Sequence, residues 1–150
     1  MKPYKNSIVS KMQISKKAQY AIRAVLRIAK YNQNKPIQIS EISKKEKIPI
    51  KFLEQILLSL KKNNLLKSRR GANGGYLIAK PCNEITIGLI LKIIDGPFDP
   101  VGINSGNNFD YGLEKYFRDM IDVVDDYLDK FTIQDVIEIE ENHGLIAFEI

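Results

Sequence analysis

The most regular pattern of apolar and polar positions lies in residues 48–79. Pro49 suits the first position of a helix, because a first-turn N–H has no intrahelical partner to lose. Apolar residues then recur at intervals of three and four, which predicts a helix with one buried face. The buried face consists of Leu53, Ile56, Leu57 and Leu60. The opposite, exposed face carries Lys51, Glu54, Gln55 and Lys62.

After this helix come two short β-prone runs, residues 65–70 and 76–79, separated by a glycine-rich stretch. This arrangement predicts a β-hairpin. A helix with a polar outer face that leads directly into an arginine-bearing hairpin suggests a helix for the major groove with a basic wing beside it. Leu58 lies near the polar face, where contact with a thymine methyl or packing on another helix would account for it.

Two helices are predicted ahead of this segment. The first spans about residues 15–31, with Ser15 as its N-cap. The second is short, at about residues 41–46, with Ser40 as its N-cap, and residues 37–39 form a very short strand able to pair with the hairpin. Two helices joined by a tight turn, with a polar face on the second, form a helix-turn-helix arrangement.

The remainder of the chain is predicted to be helical apart from one loop. Thr86 caps a helix at residues 87–95, a Gly-, Asn- and Asp-rich loop covers residues 98–112, and a long helix spans about residues 113–131. A short helix at about residues 132–138 follows. Apolar residues of the long helix alternate at intervals of four and three, as in a coiled coil. This seam consists of Leu113, Phe117, Met120, Val124, Tyr127 and Phe131.

Four further apolar residues widen the seam, so the long helix has more apolar surface than one neighbour requires. They are Tyr116, Ile121, Val123 and Leu128. We therefore interpret this helix as a dimerisation helix that also packs on its own domain. A core helix within a single chain is the alternative.

The predicted fold is mainly α with a small β-hairpin: a winged helix-turn-helix domain plus a long C-terminal dimerisation helix. The winged helix-turn-helix covers residues 12–97, the loop 98–112, and the dimerisation helix with an acidic C-terminal segment 113–150. Residues 1–11 are predicted to be a flexible basic arm, and Met12 is an alternative start.

Charge is distributed unevenly along the chain, although the net value is only +5. Residues 1–81 contain 19 Lys and Arg against 3 Asp and Glu, whereas residues 82–150 contain 4 against 15. A general compositional bias towards lysine would not leave the second half so poor in it. A strongly basic half is typical of a protein that binds a polyanion, here a nucleic acid, and the acidic half should lie away from it.

Several classes of function are disfavoured. No apolar run approaches the roughly 20 residues of a membrane span, and the basic N-terminus lacks the apolar stretch of a secretory signal. We therefore expect a cytoplasmic protein without a membrane partner. Cys82 and His143 are the sole cysteine and histidine. They form no set with a nucleophile or a metal, so we expect no catalytic residue, no metal site and no enzyme.

Four segments together resemble a known family: SKKAQYAIRAVLRIA, ISEISKKEKIPIKFLEQILLSLKKNNLLKSRRGANGGYLIAKP, ITIGLILKIIDG and KYFRDMIDVVDDYLDKFTIQDVI. They are similar to the Rrf-two family of bacterial transcription regulators, which includes the IscR, NsrR and CymR types. The resemblance covers about residues 12–139 and is most specific at residues 52–55, 70–71 and 74–76. It implies a homodimer that binds partly palindromic operator DNA, with a repressor as the expected form.

Side-chain geometry suggests which residues contact double-stranded DNA. Gln55 is able to pair bidentately with adenine, Glu54 to accept from cytosine N4, and Lys51 to reach guanine or a phosphate. The resemblance implies the same three positions, since matching residues in the family approach base edges. An ion pair elsewhere on the helix is the alternative role for Glu54.

The wing and the first helix supply the remaining candidates. Arg70 and Asn73 are placed to enter the minor groove, while Lys67 and Arg69 meet phosphates. Lys16 and Lys17 either bind a phosphate at the start of the first helix or are merely solvated. The full set of expected DNA-binding residues is Lys16, Lys17, Ser40, Lys51, Phe52, Glu54, Gln55, Lys67, Arg69, Arg70 and Asn73.

The resemblance also raises the question of a cofactor, because several family members hold an iron–sulfur cluster on three cysteines before the long helix. This chain has no cysteine between Asp95 and Tyr116, and Glu114 falls where some members carry a histidine ligand. A cluster requires several thiolates, so we predict none and treat Cys82 as a passive thiol. A small-molecule or protein effector at residues 98–112 is the expected signal. A winged-helix module that binds a protein or RNA is the alternative function.

Overall fold

The computed structural model describes residues 13–31 and 34–149, with side chains through residue 144. The expected basic arm and Met12 lie outside this range. Across the described residues, six α-helices, one two-stranded hairpin and one 3-10 turn at Cys82–Glu84 follow one another. The elements are α1 Lys16–Lys30, α2 Ile39–Glu46, α3 Ile50–Lys62, β1 Leu66–Arg69, β2 Gly75–Ile78, α4 Ile87–Asp95, α5 Tyr111–Lys130 and α6 Ile133–Glu149.

The core lies among α1, α2, α3, α4, the hairpin and the start of α6. The four apolar residues predicted for α3 are all fully buried: Leu53, Ile56, Leu57 and Leu60. Three alanines of α1, at positions 18, 21 and 24, are also inaccessible, and their small size allows neighbouring helices to approach. Ile133 and Ile137 of α6 complete this core from the far end of the chain.

Two of the predicted N-caps are confirmed. The hydroxyl of Ser15 accepts from the backbone N–H of Ala18 at 3.0 Å, and that of Thr86 accepts from the N–H of Leu89 at 3.0 Å. Each bond satisfies a first-turn donor that the helix itself leaves unpaired. The starts of α1 and α4 are therefore fixed by local sequence.

The prediction for the start of α2 is wrong. Gln38, not Ser40, is the N-cap, and Ser40 lies exposed within the first turn. The cause is the pairing of Ile37 with Tyr76 through two backbone hydrogen bonds of 2.9 and 3.0 Å. This bridge holds the chain extended until the helix begins. The expected strand at residues 37–39 is accordingly reduced to the bridge at Ile37.

The turn between α2 and α3 is closed by local hydrogen bonds. Ser43 Oγ donates to the carbonyl of Ile48 at 2.7 Å, and the N–H of Ile48 donates to the carbonyl of Ser43 at 3.1 Å. Lys47 takes the left-handed conformation, φ 53°, which commonly ends a helix. Pro49 is the N-cap of α3 rather than its first residue, so α3 begins one position later than predicted.

The hairpin is slightly shorter than predicted and pairs Leu66 with Ile78 through to Arg69 with Gly75. Gly75 has φ +143°, and a Cβ built there would lie 2.3 Å from the carbonyl oxygen of Ile37. A larger residue at this position would push the hairpin away from the segment that leads into α2. The glycine therefore permits the bridge that orients the hairpin.

The last two helices differ from expectation in length. The helix α5 starts two residues early, and α6 extends to Glu149 instead of ending near residue 138. Thr132 and Asp135 form a reciprocal cap: the Asp135 carboxylate accepts from the Thr132 N–H and hydroxyl, each at 2.8 Å, and Thr132 Oγ1 accepts from the Asp135 N–H at 3.1 Å. These hydrogen bonds lower the pKa of Asp135.

Backbone pairing joins the α5–α6 turn to the start of α4. The N–H of Ile87 donates to the carbonyl of Phe131 at 2.9 Å, and that of Ile133 donates to the carbonyl of Ile85 at 2.8 Å. The C-terminal end of α5 is thereby attached to the helix-turn-helix domain. None of the helices in residues 13–31 and 34–149 combines the length and apolar character needed to cross a bilayer.

Candidate nucleic-acid interface

The outward face of α3 carries the polar residues that the sequence assigned to it. Lys51, Glu54 and Gln55 are exposed, while the opposite face of the helix is completely buried. Within the described residues Glu54 forms no ion pair, so its carboxylate can accept a hydrogen bond from a ligand. The orientation of this face is thus fixed by the core and not by contacts among its own side chains.

The hairpin is held against the helix-turn-helix by two side-chain hydrogen bonds. Gln38 Nε2 donates to the carbonyl of Ala72 at the hairpin tip at 3.0 Å. Lys61 Nζ donates to Ser68 Oγ at 2.6 Å, linking the end of α3 to β1. The four predicted wing residues all remain exposed: Lys67, Arg69, Arg70 and Asn73. The wing therefore has a defined position relative to α3 and presents its cations to solvent.

The start of α1 differs electrostatically from expectation. The N–H and hydroxyl of Ser15 donate to the carboxylate of Asp95 at 3.1 and 2.5 Å. A carboxylate of the same chain therefore already lies at this helix N-terminus, where the helix dipole favours an anion. Lys16 is exposed, with its Nζ 5.4 Å from the ring centre of Tyr20, and Lys17 is half-buried. A phosphate would meet these side chains, not the helix end.

Several exposed cations near this surface were not among the predicted DNA-binding residues. They are Lys44 and Lys45 of α2 and Lys61 and Lys62 of α3. The run of lysines in ISEISKKEK was a usable signal, because a short helix with one apolar stripe leaves its remaining positions exposed. Gln38 gave no comparable signal, since its partner Ala72 is 34 residues away.

The apolar residues of α5 divide into two parallel rows. One row is solvent-exposed and includes Tyr116, Val123 and Tyr127, which are 65%, 68% and 60% exposed. Leu113 and the half-buried Met120 continue this row. No side chain of this fully described helix is buried.

The second row of α5 faces α4. It consists of Phe117, Ile121, Val124 and Leu128, which are all half-buried. A Cβ added at Gly88 of α4 would lie 3.2 Å from Leu128 Cβ and 2.3 Å from Asp129 Oδ1, so the helices touch closely there. The predicted seam draws on both rows, because Phe117 and Val124 belong to the inner one.

Loop residues 98–110 are ordered by their own polar groups. The Asp99 carboxylate accepts from the N–H groups of Ile103 and Asn104 at 2.9 and 2.8 Å, and Asn107 Nδ2 donates to the carbonyl of Val101 at 2.9 Å. The ring of Phe109 packs edge-on against Phe117 of α5, with centroids 5.1 Å apart. The loop is therefore coupled to the long helix that follows it.

A cavity of about 510 Å³, here called the α4–α5 cavity, lies between these elements. Its wall combines apolar side chains with Lys92 and three carboxylates, those of Asp95, Asp99 and Asp125. Asp125 Oδ1 is buried and accepts no hydrogen bond from any described residue; Lys92 Nζ is 3.8 Å away. The apolar lining residues include Ile14, Leu91, Phe98, Val124 and Leu128.

Cys82 lies after the hairpin and outside the loop, in the 3-10 turn. It is half-buried, and burial raises the pKa of its thiol, so the reactive thiolate is disfavoured at neutral pH. Among the described residues, no group of three or more His, Cys, Asp and Glu side chains is arranged to hold a metal ion.

Comparison with known proteins places these features in one family. Residues 14–139 match the family described as "Rrf2: Iron-dependent Transcriptional regulator". The HTH-type transcriptional regulator IscR of Pectobacterium carotovorum is 31% identical over 134 residues, covering 87% of this chain and 82% of that protein.

Solved structures agree with this match. CymR, the global cysteine regulator of B. subtilis, superposes with a TM-score of 0.72 at 29% identity, covering 85% of this chain and 97% of that one. T. potens IscR has a TM-score of 0.73 at 24% identity, covers 87% and 90% of the two chains, and supports the fold alone.

The mainly helical winged-helix fold and the family resemblance predicted from the sequence are both confirmed. The matched relatives regulate transcription and are not enzymes, in agreement with the absence of a catalytic set from the sequence. This chain is a member of the Rrf2 family of transcriptional regulators.

Proposed function

We propose that this protein is a cytoplasmic bacterial homodimer that binds a partly palindromic operator in double-stranded DNA and represses transcription from it. The observation that carries the proposal is the orientation of α3. Its apolar side is completely buried, so Lys51, Glu54 and Gln55 point away from the core together. A rigidly held helix with hydrogen-bonding groups on its outer face is suited to the major groove.

The outer face of α3 carries the base readout. The amide of Gln55 pairs bidentately with adenine N6 and N7, and the carboxylate of Glu54 accepts from cytosine N4. Because Glu54 forms no ion pair within the described residues, an unmatched base leaves its charge facing DNA without a donor. Glu54 therefore mainly lowers the affinity for sequences that offer it no donor, whereas Lys51 raises the affinity by contacting guanine or a phosphate.

The wing supplies minor-groove and backbone contacts. Arg70 and Asn73 lie at or beside the exposed hairpin tip, and arginine is favoured in narrow, A·T-rich minor grooves. Lys67 and Arg69 on β1 bind phosphates, which position the protein without reading sequence. The hydrogen bonds from Gln38 and Lys61 keep these contacts in register with α3.

The exposed row of α5 binds a second copy of this chain. Leu113, Tyr116, Met120, Val123 and Tyr127 follow the alternating spacing of three and four that two helices need to interlock. The acidic character of residues 82–150 supports the same arrangement, because it keeps this part of each protomer away from phosphates while residues 1–81 face them.

Regulation proceeds without an iron–sulfur cluster. A cluster is bound by several thiolates, and the loop that would hold it contains carboxylates, amides and one serine hydroxyl but no cysteine. Asp99, its first acidic residue, is moreover engaged by Ile103 and Asn104 of the same loop. The donor set does not fit the cluster, so iron and acid-labile sulfide are expected to be absent after anaerobic purification; one cluster per chain would overturn this part of the proposal.

The effector binds at the loop before α5, and the α4–α5 cavity favours a small molecule over a partner protein. Asp125 Oδ1, which accepts no hydrogen bond from the described residues, and the apolar walls suit a ligand with an apolar body and an N–H donor. Asp95 lines this cavity and also accepts hydrogen bonds from Ser15, the N-cap of α1. A ligand bound in the cavity would therefore alter the hydrogen bonding at the start of α1.

Fluorescence anisotropy tests the DNA-binding proposal. The full chain is titrated against its own promoter duplex, a scrambled duplex, an RNA hairpin and heparin at several salt concentrations. The expected result is tighter binding to the promoter duplex than to every other probe, with affinity that falls steeply as salt rises. Equal affinity for all four probes, or preference for RNA, would contradict it.

A further inference from the structure

Leu58 occupies the middle of the outward face of α3, although the residue is apolar. It lies seven positions after Lys51 and four before Lys62, so at 3.6 residues per turn the three side chains project in nearly the same direction. Glu54 and Gln55 lie one turn earlier, on either side of this line. The Leu58 side chain is 50% exposed.

The core of this molecule does not account for Leu58. Its neighbours Leu57 and Leu60 are fully buried and complete the inner face of α3 without it. Two other apolar residues of α3 are exposed, Ile50 and Phe52, but both lie in the first turn and to the side of the central line. A single exposed leucine is common in proteins; this one is surrounded on its face by the groups that read bases.

Only one base offers an apolar group in the major groove, the C5-methyl of thymine. Leu58 follows Gln55 by three residues, about 4.5 Å along the helix axis. This distance is close to the roughly 3.4 Å that separates neighbouring base pairs. The spacing therefore allows the leucine methyl groups to reach the base pair next to the one that Gln55 contacts.

We propose that Leu58 selects thymine by burying its C5-methyl, at the base pair next to the one that Gln55 reads. The assignment rests on the proposed binding of operator DNA and adds a defined specificity to it. Cytosine has a hydrogen in place of this methyl and an N4 donor in place of the O4 acceptor of thymine, so Leu58 would lose the methyl contact and leave that donor without an acceptor. The selectivity therefore arises from both attraction and exclusion.

Replacing thymine by uracil tests this directly, since it removes the methyl and leaves all hydrogen-bonding groups in place. The probe is the highest-affinity duplex selected from a random pool, with uracil introduced at one symmetric pair of thymines at a time. Wild-type protein is expected to lose about fourfold in affinity per methyl, equivalent to about 0.8 kcal/mol, at a single symmetric pair. Leu58→Ala is expected to bind the thymine and uracil duplexes equally at that pair.

Two variants serve as controls. Leu58→Met keeps an apolar side chain and should retain most of the thymine-over-uracil ratio, while Lys62→Ala, on the same face, should weaken binding and leave the ratio unchanged. Circular dichroism and molar mass establish that each variant is folded and dimeric, which the half-exposed position of Leu58 leads us to expect.

The outcomes separate the assignment from the proposed function. Sequence-specific binding by the wild type with no uracil effect at any thymine overturns the role of Leu58 and leaves operator binding intact. A uracil effect that persists in Leu58→Ala, or loss of the dimer in that variant, also overturns it. Absence of any sequence-specific duplex binding overturns the proposed function and this assignment with it.

Discussion

Individual side chains of α3 have separable roles because the helix has a sharp boundary between its buried and exposed faces. Leu53, Ile56, Leu57 and Leu60 set its position, and truncating one of them would create a cavity that costs about 2–5 kcal/mol. Gln55 and Lys51, on the opposite face, are exposed. Exposed residues of α3 are therefore open to substitution with little effect on folding.

Gln55→Ala should relax base choice at one operator position per half-site, because the variant loses a bidentate contact worth about 1–3 kcal/mol of discrimination. Lys67→Ala should instead weaken all sequences nearly equally and reduce the salt dependence of binding, since it loses a phosphate contact. Binding to a randomised operator library measures both effects. Identical base preferences for wild type and Gln55→Ala would refute the assignment.

The sequence predicted burial and helix caps correctly where these depend on residues close together in the chain. Helical spacing was sufficient for α3, and the caps Ser15 and Thr86 act within their own first turns. Ser40 was assigned wrongly because the start of α2 depends on Tyr76, which pairs with Ile37 from a distant part of the chain. The contact of the Asp95 carboxylate with the start of α1 was equally impossible to predict from the sequence, since 80 residues separate Asp95 from Ser15.

At the scale of whole elements, α5 and α6 show which features depend on the neighbours of a helix. The spacing of apolar residues predicted α5 as a helix, yet each of its two parallel apolar rows satisfies the coiled-coil pattern. Contacts with α4 decide which row faces inward. Gly88 of α4 allows close contact with Leu128. Lys92 Nζ of α4 also lies 3.8 Å from the Asp125 carboxylate and 3.5 Å from that of Asp129. The greater length of α6 was missed because residues 139–149 lack a continuous apolar stripe.

The cap of α6 gives a pH-dependent prediction. Hydrogen bonds to Thr132 lower the pKa of Asp135 in the folded state, so its stabilising effect is present above the unfolded pKa of about 3.9 and is lost as pH falls through the folded value. Asp135→Ala should thus lower the melting temperature at pH 7, and this difference should shrink steadily below about pH 4.

Thermal unfolding followed by circular dichroism measures the effect, with Glu141→Ala as the control. Glu141 is an exposed carboxylate on the same helix and lies outside the cap. Its removal should change the melting temperature little at either pH. A difference between wild type and Asp135→Ala that stays constant from pH 7 to pH 3 would contradict the assigned role of the carboxylate.

For the molecule as a whole, the two oppositely charged parts of the chain contain different structural elements. The basic residues 1–81 contain the helix-turn-helix and the wing, and the acidic residues 82–150 contain α5 and α6. Among the described residues, two connections between the parts are the Ser15–Asp95 hydrogen bonds and the Lys30–Glu140 ion pair. The charge division was evident from sequence, whereas both connections join residues more than 40 positions apart.

A charge in the exposed row of α5 should dissociate the dimer. Val123→Lys places an ammonium group in the centre of the proposed interface, and Val123 is too exposed for this change to disturb the protomer core. Asp122→Lys, a larger change of charge on the opposite side of α5, should leave the dimer intact. Light scattering at micromolar concentration is expected to give twice the 17.1 kDa chain mass for wild type and Asp122→Lys, and the single mass for Val123→Lys.

Phe117→Lys distinguishes the two rows of α5. Phe117 is half-buried against Phe109 of the loop, so this variant should lose stability rather than dissociate cleanly into folded protomers. If Val123→Lys remained a dimer while Phe117→Lys became a folded monomer, the inner row would be the true interface.

Selection of bound duplexes from a random pool, using the full chain, tests the central claim most directly. Two protomers that each present α3 outward and are joined through α5 should enrich an inverted repeat whose half-sites lie about one helical turn, roughly 34–36 Å, or a multiple of it apart. Enrichment of a single unrepeated motif, or no enrichment over the starting pool, would contradict the account.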